Sequence, residues 1–251
     1  MLPTEAAGDA LTCVLEQPSP VAVFRLAGEL NVATAPVVRN VLHKALADDP
    51  SAIVLDLGGV TVDDDLALTL FPAFARAAAA WPGCAVLLCA PAPAVATGLD
   101  RLAVGRTLQV YPDRASACAA ADALPVSYRF GRRLWPTLAS AGVAREMVAN
   151  ACRAWHVSHL IDDAELVVTE LMSNAVRHAS GSLELLLVLR GRFLHVSVRD
   201  GSSTLPSMVL PNPETDEGGR GLLLLDAVAA GWGSVPVPGG KVVWATLRVH
   251  R

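Results

Sequence analysis

The sequence lacks an excess of basic residues. Its 251 residues contain 20 lysines and arginines against 24 aspartates and glutamates, which gives a formal net charge of −4. A protein that coats the phosphates of a nucleic acid needs clustered positive charge on its surface. We therefore expect no nucleic-acid partner for this chain.

Paired cysteines and an apolar leader are lacking as well. The five cysteines form an odd set without a CxxC pair, and the first ten residues, MLPTEAAGDA, have neither a basic start nor an apolar core. Disulfide frameworks and secretory signals normally show these features. We expect reduced thiols and a cytoplasmic location.

No apolar run is long enough for a membrane span. The longest runs are CAVLLCAPAPAVATGL, which Pro91 and Pro93 interrupt, and GLLLLDAVAA, which Asp226 interrupts. A transmembrane helix needs about 20 consecutive apolar residues. We expect a soluble protein without a membrane partner.

The first half alternates between strand-like and helix-like segments. Short apolar runs that end at Gly or Pro predict buried strands, and segments with apolar residues every three or four positions predict helices. The predicted strands are 21–30, 51–59 and 84–90, and the predicted helices are 34–49, 64–81 and 93–104. This order predicts an α/β domain, which we place at residues 8–122.

The second half, residues 125–251, has a different order of elements. Two predicted helices precede a hairpin, and a loop, a helix and two final strands follow. The helices are about 134–154 and 160–179, the hairpin strands are 182–190 and 192–200, and the loop is 201–218. Helices followed by hairpins predict an antiparallel or mixed sheet with helices on one face.

The predicted helix 160–179 carries a regular polar stripe. Glu170, Asn174 and His178 are spaced by four residues and lie on one helix face, whereas Leu171 and Ala175 fall on another. Taken alone, this stripe is more typical of a solvated surface than of a binding site, so its meaning depends on other segments of the chain.

Two further polar or Gly-rich segments could form one site together with this stripe. Asp200 and Gly201 end a predicted strand, and EGGRG (217–221) opens a helix whose free N–H groups could hold phosphates. Each also has a simpler explanation, because Asp-Gly is a common turn pair and glycine often precedes a helix. The chain has neither a Walker A loop nor a dinucleotide fingerprint.

In this order, the three segments resemble the GHKL ATPases, and within them the short anti-sigma factor serine kinases. The resemblance covers nearly all of 125–251 and is carried by DDAELVVTELMSNAVRHA, VSVRDGSS, EGGRGLLLLDAVAAGWG and GGKVVWATL. It implies a GHKL-type α/β sandwich with a mixed sheet, and ATP and Mg²⁺ as cofactors. The chain departs from the frequent D-x-G-x-G pattern, since Ser202 and Ser203 follow Gly201.

The resemblance also implies roles for single residues. Asn174 would offer an amide oxygen to Mg²⁺, and Glu170 would accept a proton from the attacking hydroxyl. Asp200 would bind the adenine amino group, with Gly201 against the base. The residues expected to border the phosphates are Gly219, Arg220, Gly221 and Leu222. Arg177 and His178 are either phosphate neighbours or helix-surface groups.

The first half resembles a STAS domain, the fold of anti-anti-sigma factors. LAGELNVATAPVVRNVL and IVLDLGGVTVDDDLALTLF carry this resemblance. Phosphorylatable members have an acceptor serine after the third strand, whereas the aligned segment here, 64–68, reads DDLAL. Asp64 and Asp65 are then either an acidic helix start or an imitation of phosphoserine.

Together, the two resemblances predict a Mg-ATP-dependent serine kinase fused to a degenerate STAS domain. Its expected partner is a separate STAS anti-anti-sigma protein, with a sigma factor and a second copy of the chain as further partners. The alternative is a non-catalytic module in which bound nucleotide sets the conformation. Glu170 favours the kinase, because a pure binding module needs no base beside the metal.

Overall fold

The structure is a computed structural model. It describes residues 11–18, 20–125, 127–178, 181–205 and 220–249, with the backbone alone for 138, 178 and 220–223. Contacts divide the chain into two compact units, Met1–Leu124 and Pro125–Arg251. The expected domain bounds 8–122 and 125–251 remain predictions, because such a division marks where contacts are sparse and not where a domain folds independently.

The first unit alternates strands and helices. Its strands are β1 (Thr12–Gln17), β2 (Val21–Leu30), β3 (Ala52–Val62), β4 (Ala85–Cys89) and β5 (Gln109–Tyr111), and its α-helices are α1 (Ala35–Leu46), α2 (Leu70–Ala80), α3 (Pro93–Arg101) and α4 (Arg114–Asp122). A 3₁₀ helix, Asp65–Thr69, leads directly into α2. The predicted α/β architecture is confirmed.

The first sheet has the order β1-β2-β3-β4-β5. β1 pairs antiparallel with β2, and every other pairing is parallel. Val23, Val54 and Leu87 lie in one buried cluster with Ala117 and Ala121 of α4. Because Leu30 of β2 lies opposite Val62 of β3, the segments that follow these strands start at the same sheet edge.

In its described residues, the second unit has one sheet and three α-helices. Its strands are β6 (Tyr128–Leu134), β7 (Leu183–Arg190), β8 (Phe193–Asp200), β9 (Gly231–Val237) and β10 (Gly240–Arg248), and its helices are α5 (Leu138–Ala154), α6 (Ile161–His178) and α7 (Arg220–Val228). The sheet order is β6-β7-β8-β10-β9. A single apolar core joins the helices to one set of alternating strand residues, as Val168 of α6 with Leu185, Val196 and Val243 illustrates.

The pairings of this second sheet correct one expectation. The resemblance implied a mixed sheet, but every pairing among the described strands is antiparallel. An antiparallel sheet was the other alternative drawn from the element order, and the tight hairpins β7–β8 and β9–β10 make the pairing within each hairpin antiparallel.

Three strands were missed, and one predicted helix began too early. β1, β5 and β6 all lie at sheet edges or are very short. Residue 134 ends β6, so α5 starts at Leu138, and not near 134 as expected. Six of the seven residues of β6 are exposed, and its sequence, YRFGRRL, is not the continuous apolar run by which the buried strands were recognised.

No described helix is both long and apolar enough to cross a membrane.

Candidate nucleotide site

The polar stripe on α6 has the geometry that the sequence predicts. Glu170 and Asn174 are half-buried on the helix, while Leu171, Met172 and Ala175 are buried in the core. His178 is the last residue of α6, and its side chain lies outside the described residues. The helix therefore separates a polar face from the face that packs in the core.

Asn174 has an amide end without a partner. Within the described part of the chain, its Nδ2 atom is buried and makes no hydrogen bond. Buried amide groups are normally paired, so an unpaired one is typical of a position that a ligand or water completes. The nitrogen and oxygen of such an amide exchange places by a simple flip, which would bring the oxygen to the same position.

Asp200 lies at the end of β8 and is almost fully buried, with 3% of its surface exposed. Its Oδ1 atom accepts a hydrogen bond from the backbone N–H of Ser202 at 2.7 Å and one from Nζ of Lys241 at 2.9 Å. Its Oδ2 atom is buried and has no partner among the described residues. Oδ1 is thus held in place by two hydrogen bonds, and Oδ2 can accept a hydrogen bond from a further donor.

Lys241 was not among the residues predicted for the site. It lies in β10 directly opposite Asp200 in the antiparallel register, and none of its surface is exposed. Lysine is almost never fully buried without a partner, so Lys241 can occupy this buried position because it pairs with Asp200. The only sequence signal was a lysine at the start of an otherwise apolar strand, KVVWATL.

Gly240 lets β10 start against the end of β8. A Cβ atom at this position would overlap the carbonyl oxygen of Asp200, and φ of Gly240 is +157°. Only glycine permits this close approach of the two backbones. The approach places Lys241 directly across from Asp200.

Packing connects the helix stripe with the strand ends. α6 packs against β8 and β10, the strands that carry Asp200 and Lys241, and it also packs against α7. α7 spans Arg220–Val228, in the region where a helix is predicted to follow the Gly-rich segment. The elements that carry the predicted site residues therefore adjoin one another within the second unit.

Several predicted residues cannot be assigned contacts. Gly219 and most of the loop 201–218 lie outside the described residues, and only the backbone is described for Arg220, Gly221 and Leu222. Arg177 is exposed near the end of α6, which fits both roles that were considered for it. Gly201 follows Asp200 and is half-buried.

The acidic segment of the first unit has a structural role for each of its two aligned acids. Asp64 caps the 3₁₀ helix, because its Oδ1 atom accepts the N–H of Leu66 at 2.9 Å. Asp65 forms an ion pair with Arg101 of α3, with 3.2 Å between Oδ2 and Nε. Neither side chain has a hydroxyl group that could receive phosphate.

Comparison with protein families identifies both units. A model described as histidine kinase-like ATPase domain matches residues 134–247, and a STAS domain model matches residues 12–117. The chain joins a STAS domain to a histidine kinase-like ATPase domain. The ATPase domain implies ATP binding, and the two domains together support an ATP-binding regulator of the partner-switching type.

Several solved structures are similar to part of the chain. An anti-sigma factor antagonist from Mycobacterium paratuberculosis is 25% identical, with 47% of this chain and 98% of that chain covered and a TM-score of 0.41. The anti-sigma factor antagonist SpoIIAA in its unphosphorylated form is 18% identical (47% and 100% covered, TM-score 0.39). The Bacillus cell fate determinant SpoIIAA in its phosphorylated form is 18% identical (44% and 98% covered, TM-score 0.35). A comparison with curated proteins found no match.

A separate cavity of about 390 Å³ lies between β6 and α5 of the ATPase domain, lined among others by Arg132, Asn150 and Trp155. It contains none of the residues predicted for nucleotide binding. The chemistry of Asp200 and Asn174, and not cavity size, therefore locates the candidate site.

The described residues contain no cluster of three or more His, Cys, Asp or Glu side chains that could hold a metal ion by themselves. Mg²⁺ usually takes only one or two protein ligands, and phosphates and water supply the rest. A single amide such as Asn174 therefore fits Mg²⁺ only when a phosphate ligand is bound with it.

Proposed function

We propose that the ATPase domain binds Mg-ATP and acts as a serine kinase of the anti-sigma factor type. The observation that carries this proposal is the unpartnered, buried Oδ2 atom of Asp200. A buried carboxylate oxygen without a donor is costly, because it has lost its water without replacement. The exocyclic amino group of adenine would supply the missing donor, and Gly201 would let the base lie close to the backbone.

The helix stripe supplies the metal and proton chemistry of the proposal. Asn174 would bind Mg²⁺ through its amide oxygen, and Glu170, one turn earlier, would accept the proton of the substrate serine. The γ-phosphoryl group would then join the serine oxygen, and ADP would leave. Arg177 and His178, with the segment Gly219–Leu222, would border the phosphates at the start of α7.

The proposed substrate is a separate STAS protein in the cytoplasm that retains its acceptor serine. The STAS domain of this chain has Asp64 and Asp65 at the aligned positions, so it cannot itself accept phosphate there. A sigma factor and a second copy of the chain are further proposed partners, as in the anti-sigma kinases that the ATPase domain resembles.

A second candidate function is a non-catalytic module in which bound ATP sets the affinity for a partner. The aligned segment DDLAL supports it, because a domain that lacks the acceptor hydroxyl has no phosphorylated state to switch to. A chain with such a domain can regulate a partner by binding alone.

Phosphotransfer distinguishes the two candidates. The purified chain is incubated with labelled Mg-ATP and a panel of STAS proteins that retain the acceptor serine, each paired with its Ser→Ala variant as control. The kinase proposal expects transfer to at least one intact STAS protein and none to its variant. ATP binding without transfer to any member of the panel would favour the non-catalytic module.

A further inference from the structure

We propose that Lys241 reads the base of the nucleotide together with Asp200, by donating a hydrogen bond to the ring nitrogen N1 of adenine. This inference rests on the proposed ATP binding and assigns a specificity role to a residue outside the predicted site. Its basis is the geometry of the buried pair at the ends of β8 and β10.

Three contacts position the side chains of Asp200 and Lys241. Nζ of Lys241 lies 2.9 Å from Oδ1 of Asp200, and the N–H of Ser202 lies 2.7 Å from the same oxygen. Gly240 fixes the start of β10 against the backbone of Asp200. Because both side chains are buried, neither can turn to bulk water for its remaining hydrogen bonds.

The pair of Asp200 and Lys241 still has hydrogen-bonding groups that no described residue uses. An ammonium group has three N–H donors, and one of those on Lys241 is directed to Oδ1 of Asp200. Oδ1 accepts two hydrogen bonds, whereas Oδ2 accepts none from the described residues. The pair therefore retains an acceptor, Oδ2, on the same carboxylate that binds the ammonium group, which has two further N–H donors.

Adenine has the complementary groups on its Watson–Crick edge, where the exocyclic amino donor adjoins the ring acceptor N1. Proteins that read an unpaired base use hydrogen bonds to this edge. The amino group fits the free Oδ2 atom of Asp200, and N1 fits the ammonium group of Lys241. A carboxylate alone reads only the amino group, so Lys241 adds a second point of recognition.

The competing explanation is that Lys241 is only a counter-ion, which neutralises Asp200 and does not touch the ligand. Such a residue would affect the folding of the domain, but not the choice between two bases that differ at N1. The nucleotide analogue 1-deaza-ATP separates the two explanations, since it replaces N1 with a C–H group and keeps the amino group.

The experiment is a calorimetric titration of the wild-type full chain with Mg-ATP and with Mg-1-deaza-ATP. A hydrogen bond that involves a charged group predicts about tenfold or more weaker binding of the analogue. Equal affinity of the two nucleotides would overturn the role of Lys241 while leaving ATP binding intact. Failure to bind ATP at all would instead overturn the proposed function, and this inference with it.

A variant checks that the discrimination arises from Lys241. Lys241→Met should remove the preference for ATP over 1-deaza-ATP, because no donor then faces N1. Since this change leaves Asp200 buried without its partner, Asp200→Asn/Lys241→Met provides a neutral pair of similar size if the single variant is unfolded. A folded variant that still prefers ATP tenfold would contradict the proposal.

Discussion

The carboxylate of Asp65 is neutralised by Arg101, with Oδ2 of the acid 3.2 Å from Nε of the guanidinium group. Asp65 is the residue that we expect to align with the acceptor serine of phosphorylatable STAS domains. The side chains are partly exposed, so the pair contributes little to stability. Its consequence is electrostatic, since the charge that could imitate phosphoserine is already paired within the domain.

The chain should not phosphorylate its own STAS domain. Incubation with labelled Mg-ATP, followed by mass spectrometry, should find no stoichiometric phosphate on residues 1–122, because Asp65, at the expected acceptor position, and the following Leu66 lack hydroxyl groups. Label on Thr61 or Thr69 would contradict this. Asp65→Ser should create an acceptor if the alignment is correct, and a variant that stays unlabelled would argue against the proposed register of DDLAL.

The position of Asp65 also depends on Gly98 of α3. A Cβ atom there would lie 2.5 Å from Oδ1 of Asp65 and 2.6 Å from Cδ1 of the buried Leu68. Gly98→Ala should destabilise the STAS domain by about 1–3 kcal/mol through overpacking. Gly105→Ala is the control, since a Cβ atom added there would meet no atom within 4 Å beyond its own chain neighbours. Thermal unfolding of both variants checks this. Equal melting temperatures would show that the side chains around Gly98 shift without a loss of stability.

Variants of Glu170 and Asn174 should affect phosphotransfer and ATP binding separately. Glu170→Ala should slow phosphotransfer by about 10²–10⁴-fold and leave ATP affinity nearly unchanged, because a general base acts only in the reaction. Asn174→Ala should instead abolish the Mg²⁺ dependence of ATP binding. Glu165→Ala removes another acid of α6 and serves as control. Normal transfer by Glu170→Ala would remove Glu170 from the role of base.

His195 should stay neutral throughout the physiological range of pH. Burial lowers its pKa to about 3, with nearby Arg190 adding to the effect, and its Nδ1 atom lies 3.1 Å from the hydroxyl of Thr246. Because the unfolded chain binds this proton near pH 6.5 and the folded chain does not, stability falls as the pH drops from about 6.5 towards 3. Histidine NMR signals recorded from pH 8 to 5 check this, since the signal of His195 should not shift. His195→Gln identifies that signal.

Local patterns were sufficient to predict the elements that border the site. The four-residue spacing of Glu170 and Asn174, with apolar residues between them, predicted a helix with one polar and one buried face, and α6 confirms it. Asp200 followed by Gly201 correctly marked the end of a strand. The STAS and ATPase domains were likewise recognised because several short segments occur in the right order.

The partner of Asp200 could not be predicted, because it depends on strand order. Lys241 lies 41 residues further along the chain and meets Asp200 only because β10 is inserted between β8 and β9. No local pattern encodes that neighbour. The edge strand β6 was missed for a different reason, since its arginine-rich sequence, YRFGRRL, forms no continuous apolar run.

The most direct test of the account is calorimetric titration of Mg-ATP into the wild-type chain, Asp200→Ala and Asp200→Ala/Lys241→Met. The double variant is included because Asp200→Ala alone leaves a buried lysine unpaired. Glu184→Ala removes one acid from the surface of the same sheet and is the control. The account predicts ATP binding by the wild type and by Glu184→Ala, and about 10- to 150-fold weaker binding by the folded Asp200 variants. Unchanged affinity in those variants would contradict the central claim that Asp200 holds the base.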